Sequence, residues 1–126
     1  MTYSDIILTH KTQLFYMAKA VISKEVQQEV WELIDAFNKK TFKGSEHFMY
    51  MPKFKGNFLY LDRKEFDKIS PVARLKYTGD MKKWDFAIFK WSRETYDPDE
   101  WFFPGSEHLN GTIEGAMKAG LAAYPV

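Results

Sequence analysis

Two copies of a Gly-Ser-Glu-His tetrapeptide are the residues whose types and spacing most directly suggest chemistry. They are Gly44-Ser45-Glu46-His47 and Gly105-Ser106-Glu107-His108, each with Phe two positions earlier and an apolar residue after. Imidazole and carboxylate are ligands for zinc, manganese or iron. His47 and His108, with Glu46 or Glu107, would form a metal site if the two segments converged. Adjacent residues on an extended chain point to opposite sides, so each Glu-His pair offers one ligand more readily than two. The competing role for the repeat is a turn with local capping.

A second constellation is basic and aromatic. Arg74 and Lys76 alternate against Ala73, Leu75 and Tyr77, so they project from one face of a strand. Phe89 and Trp91 on the next strand can share that face, and Lys53, Lys55, Lys82, Lys83 and Lys90 extend the positive region. Rings for stacking beside cations for the backbone are what a sheet surface needs to hold single-stranded nucleic acid or another anionic ligand. No ribonucleoprotein aromatic signature accompanies them, and the pI of about 7.9 is lower than that of a dedicated binder.

Catalytic motifs are missing from the sequence. The serines at 4, 23, 45, 70, 92 and 106 sit in no Gly-x-Ser-x-Gly elbow, and there is no phosphate-binding loop or His-Glu-x-x-His. The run Asp97, Asp99, Glu100 beside Trp101-Phe102-Phe103 could bind a cation or a carbohydrate, or be a solvated turn. Asp85, between Trp84 and Phe86, would need a cationic partner if buried, and Arg74 or Lys76 is the obvious one.

The stretches Phe102 to His108, Asn110 to Ala116 and Ala119-Gly120 resemble the C-terminal stretch of flavin-dependent amine oxidases, in which a helix N-terminus approaches the flavin. The resemblance covers about a sixth of the chain. No Gly-x-Gly-x-x-Gly follows a strand, and the chain is too short for both domains of that family, so neither membership nor a cofactor is inferred. What carries over is physical: amides at a Gly-rich helix start can hold an anion.

Several elements must position these groups. Ser23 is an N-cap for a helix over 24–40, with Val26, Val30, Leu33, Ile34 and Phe37 on its apolar face. A preceding helix over 14–22 is expected, with a strand over 13–22 as the competing reading. Phe48–Met51 and Phe58–Leu61 read as a hairpin around a turn at Lys53–Asn57. Strands over Val72–Tyr77 and Lys83–Ser92 follow, the last apolar on both faces and so central. An irregular stretch from Asp97 leads to a helix over 112–123. The fold class is α+β: an antiparallel four-stranded meander with N-terminal helices and a C-terminal helix mainly on one face.

Length and composition set the remaining bounds. The 126 residues, with no cysteine and 17% aromatics, suit one globular domain over 1–126 without disulfides or thiolate chemistry. No apolar run is long enough to cross a membrane and the N-terminus lacks a signal-peptide layout, so a cytoplasmic protein is expected. Net charge is segregated. Residues 1–35 carry three Lys/Arg against five Asp/Glu, residues 36–90 thirteen against six, and residues 91–126 two against six. The adopted reading is a non-catalytic binding or assembly module that self-associates, burying Phe89 and Trp91 in a two-fold interface. Gly115, Ala119 and Ala122 on the last helix would offer a second contact. Single-stranded nucleic-acid binding and a metal-dependent site at His47 and His108 are the alternatives.

Overall fold

The computed structural model describes residues 21–126. The helix or strand expected over residues 14–22 lies outside the described residues except for its last two, of which Ile22 is buried in the core. Helix α1 (Lys24–Phe42) begins where Ser23 accepts a hydrogen bond from the Val26 amide at 3.2 Å. Val30, Ile34 and Phe37 form its buried stripe, whereas Leu33, expected on that face, is exposed.

Five antiparallel strands follow as a simple meander: β1 (Phe48–Lys55), β2 (Phe58–Glu65), β3 (Lys68–Lys76), β4 (Asp85–Lys90) and β5 (Thr95–Asp97). The α+β class and the helix–sheet–helix order are as expected, with one strand more than the four read from the sequence. The chain closes with helix α2 (Ile113–Ala123), capped by Thr112, whose hydroxyl accepts from the Gly115 amide. Both helices lie on one face of the sheet. Val30, Ile34 and Phe37 of α1 and Ile113, Ala116 and Met117 of α2 share a core with Tyr50, Leu59, Leu61, Ala73 and Leu75.

Strand pairing explains the boundaries that the sequence misplaced. Lys55 pairs with Phe58, so the turn is only Gly56-Asn57. Lys53 and Lys55 alternate with Phe54 as strand residues, two outward and one inward. Glu65 pairs with Lys68 across Phe66-Asp67, with Phe66 held at φ +57°. Its amide donates to the His47 carbonyl at 2.7 Å, and its ring packs on His47 and Phe48. A β-bulge opposite Leu61/Asp62 places Val72 and Ala73 in succession in the core, so the expected alternation fails there.

Three sets of hydrogen bonds tie the helices to the sheet. Asn38 of α1 donates to the Tyr50 carbonyl at 3.0 Å and accepts from the Tyr50 amide at 2.8 Å, which satisfies the edge of β1. The Tyr50 hydroxyl donates to the Met117 carbonyl at 2.8 Å, tying β1 to α2. Arg63, 3% exposed, crosses the Tyr50 ring and donates to the Tyr124 carbonyl at the end of α2, where the helix dipole favours a cation.

Burial pushes the Tyr50 phenol up to about 12, against the opposing pull of Arg63. Its folded value thus lies above the ordinary 10.0, so its contribution is complete below that pH and is lost as pH rises towards 12. Urea midpoints are expected to fall above pH ~10, and Tyr50→Phe should blunt that fall. The same change should cost about 1–2 kcal/mol at neutral pH through the lost hydrogen bond. An alkaline profile identical to that of the unaltered protein would contradict this role for Tyr50.

Candidate functional site: a basic aromatic sheet face and its cleft

The face of the sheet away from the helices is built by register. Cross-strand partners share a face, and Lys53↔Tyr60, Lys55↔Phe58, Phe58↔Lys76, Tyr60↔Arg74, Lys76↔Asp85 and Phe89↔Tyr96 all lie opposite the core. Lys64 and Asp62 join them by the same parity. Five cations therefore stand among four aromatic rings, with two carboxylates.

These rings form a connected floor. Tyr60 meets Tyr96 edge-on at 5.4 Å, Tyr96 meets Phe89 at 5.1 Å, and Phe89 meets Trp91 at 5.0 Å. The Arg74 guanidinium lies over Phe58 at 4.6 Å and Tyr96 at 5.6 Å, and the Lys53 ammonium over Tyr60 at 5.5 Å. Burial pushes the Tyr96 phenol up to about 12, with Asp62 and Tyr60 adding to the effect and Arg74 opposing it. Burial also raises the Asp62 carboxyl, against Lys53 at 3.9 Å. The centre of the face is thus poorly hydrated and its side chains are held by one another.

Arg74 differs from the other arginines on the strands. Arg63 donates to the Glu65 carboxylate and the Tyr124 carbonyl, and Arg93 beyond β4 bonds Asp97 at 2.7 Å. Arg74 has neither a hydrogen bond nor a carboxylate within 4.0 Å among the described residues. Two rings hold its plane while its N–H groups stay open. Such an edge is suited to a phosphate or carboxylate.

Beside it lies a cleft of about 600 Å³. It exists because β5 pairs only with Ile88–Lys90, which leaves the Asp85–Ala87 part of β4 without a strand on that side. Pro98, Glu100 and Trp101 on one side and Leu109 to Thr112 on the other form its walls, and Phe58, Arg74 and Lys76 connect it to the sheet face. Glu100 is fixed by the Lys90 ammonium, whose hydrogen bond holds its carboxyl below the usual range.

The structure brings together Arg74, Lys76, Phe89, Trp91, Lys53 and Lys55. It places Lys90 on the other side of the sheet, bonded to Glu100, because strand alternation that turns Phe89 outward turns Lys90 inward. Asp85, expected to be buried with a cationic partner, is exposed; it faces Lys76 in register without an ion pair. Phe58, Tyr60 and Tyr96 do not stand out in the sequence as binding residues, and Trp101 stands out only as a ring beside the acidic run Asp97, Asp99, Glu100. The first three needed the strand register, and the fourth needed the fold of the loop after β5.

Among the described residues the two Gly-Ser-Glu-His segments form no ligand set, and no three His, Asp or Glu side chains converge. Glu46 and His47 are exposed in the turn before β1, where Ser45 accepts from the His47 amide at 3.0 Å and His47 stacks near Phe66. Glu107 and His108 occupy a short 3-10 turn (Ser106–His108), 3.8 Å from each other. The repeat is one of turn chemistry in both places. The small-residue flank of α2 is also occupied: Gly105 sits so close to Ala119 and Ala122 that a Cβ on it would lie 2.6 Å from each. Thr112 already serves the start of α2, so the anion-holding helix terminus suggested by the Gly-rich sequence is capped from within the chain. No helix among the described residues is long and apolar enough to cross a membrane.

No family model matches the chain, and neither does a curated protein nor a solved structure. The face and its cleft therefore supply the functional argument.

Proposed function

We propose that the protein is a non-catalytic binding module that holds single-stranded nucleic acid on the sheet face opposite the two described helices. The carrying observation is Arg74, clamped by Phe58 and Tyr96 with its donors unspent among the described residues. A sheet face offering phosphate-binding groups beside rings suits unpaired bases, which stack on aromatic side chains; a duplex keeps its bases inside. Trp91, 49% exposed, and the rims of Phe58 and Tyr60 supply the stacking surfaces.

Self-association was the first expectation from the sequence, and its two supports have weakened. Tyr96 on β5 packs against Phe89, and Gly105 fills the flank of α2. A two-fold contact through the same face would also bring together two copies of a surface on which cations outnumber carboxylates, and like charges so opposed are costly.

The test is fluorescence anisotropy with a labelled single strand of about ten nucleotides. Lys55, Lys64, Arg74 and Lys76 are outward cations with no ion pair among the described residues. Four phosphate contacts predict a slope of log K against log salt of about −3 between about 50 and 200 mM. The duplex form should bind more weakly. Failure to bind at about 50 mM salt, or a slope near zero, would refute the proposal.

A further inference from the structure

We infer that the cleft beside Asp85–Ala87 seats one nucleotide of the bound strand, its base against the Trp101 indole and its phosphate on Arg74 and Lys76. This rests on the strand-binding reading above and names where a single unit of the strand is gripped.

The cleft is built from the same chain features that end the sheet. Pro98 has no amide hydrogen, so the strand pairing of β5 stops at Asp97 and the chain departs from β4. The space so opened is continuous with the basic face through Phe58, Arg74 and Lys76. A strand crossing the face therefore reaches the cleft without leaving its phosphate contacts.

The lining suits a flat, polar-edged group better than an aliphatic one. Trp101, 68% exposed, stands at the rim, and the Phe86 ring below is stacked on Phe103 at 5.8 Å. An exposed indole over a cavity is a stacking surface that the protein core does not use. Exposed polar groups also line the cleft. Asn110 commits its side-chain oxygen to the Thr112 amide at 3.1 Å and to the Thr112 hydroxyl at 2.5 Å. Its NH2 group has no partner among the described residues and is left as a donor. Asp85 contributes an acceptor with no ion pair within 4.0 Å among the described residues. A nucleobase carries both a donor and an acceptor on its pairing edge, which matches this pair of groups. The volume of about 600 Å³ lies within the range of clefts that take a ligand of this size.

Two arms of one experiment test the inference. In the first, the oligonucleotide affinity of Trp101→Ala is compared with that of the unaltered protein by anisotropy, with circular dichroism as the folding control. A loss of about tenfold or more is expected, the usual worth of one stacked base, with the salt slope unchanged. In the second, a nucleoside 5′-monophosphate is titrated while tryptophan fluorescence is read, with nucleoside alone and inorganic phosphate as comparators. Quenching by the monophosphate is expected, together with its disappearance in Trp101→Phe. Oligonucleotide binding that is indifferent to Trp101→Ala would overturn the cleft assignment and leave the sheet face standing. A monophosphate that binds as tightly as the oligonucleotide would assign the cleft to a free nucleotide and overturn the strand assignment. Binding of neither would overturn both.

Discussion

Reversing two charges on β3, Arg74→Glu with Lys76→Glu, is expected to lower affinity for single-stranded oligonucleotide by about 100-fold or more at low salt, roughly 2.7 kcal/mol. Both side chains leave the sheet on its outward face, and neither belongs to the buried core. The change removes two of the four outward cations that have no ion pair among the described residues. It also puts a carboxylate above Phe58 and Tyr96, where the negative faces of the rings repel it. The salt slope should flatten by about 1.4, that is, two contacts at about 0.7 each. Arg74→Leu separates the two effects, since it keeps a packed stem over the rings without the charge. It should retain the melting temperature and flatten the slope by about 0.7, the share of one contact. Anisotropy titrations with thermal melts of all three proteins check this. Unchanged oligonucleotide affinity in the double variant would remove Arg74 from any binding role.

The largest effect on stability outside the core is expected at Gly111. It adopts φ +84°, and a Cβ there would lie 2.3 Å from the Lys82 carbonyl oxygen. Its own carbonyl accepts the Trp84 amide at 2.9 Å, so the loop that walls the cleft cannot shift without breaking that bond. Gly111→Ala should cost on the order of 2–4 kcal/mol, combining left-handed backbone strain with overpacking. Gly79→Ala is the control, because Gly79 has φ +96° but nothing within 4 Å of the added Cβ. It should cost only the backbone part, about 1–2 kcal/mol. Urea unfolding of both variants gives the two numbers. Equal costs would mean that the Lys82–Gly111 contact does not hold the cleft wall.

The parts of the fold that were legible in the sequence are those with a sustained period and chemically distinct ends. Ser23 and the stripe Val30, Ile34, Phe37 defined α1, and Thr112 with Ile113, Ala116, Met117 defined α2. Leu33 misled because an apolar residue beside the stripe looks the same in sequence whether or not the sheet reaches it. The strands were read short wherever lysines alternate with inward aromatics, as in Lys53-Phe54-Lys55. Their polarity resembles that of a turn until the partner strand supplies the register. Phe66 at φ +57° is a residue that no turn rule selects, so the β2–β3 turn was invisible and β3 began late. β5 is three residues long and adjoins Asp97-Pro98-Asp99, a context that signals a break rather than a strand.

The candidate site divides in the same way. Arg74 and Lys76 lie within β3, and Phe89 and Trp91 lie in β4 and directly after it, so period two alone puts each pair on one face. The same rule applied one residue further would have set Lys90 on the opposite side. Phe58, Tyr60 and Tyr96 come from other strands, and their position beside Arg74 depends on which residues pair. The cleft depends on where β5 stops pairing and on how the loop to α2 returns, which are tertiary facts with no local pattern. The repeated Gly-Ser-Glu-His looked like chemistry because its residue types can bind metal. Its glycine and serine instead shape two turns on separate parts of the chain.

The central claim is that the sheet face opposite the helices is the binding surface. It is tested most directly by mapping amide chemical-shift changes on the ¹⁵N-labelled protein during titration with an unlabelled single strand. The account predicts progressive shifts on the outward side of the sheet around Lys55, Phe58, Tyr60, Arg74, Lys76 and Phe89, with Trp91, Tyr96 and Trp101 moving with them. Shifts concentrated on the outward face of α1, or a spectrum unchanged at saturating oligonucleotide, would contradict it.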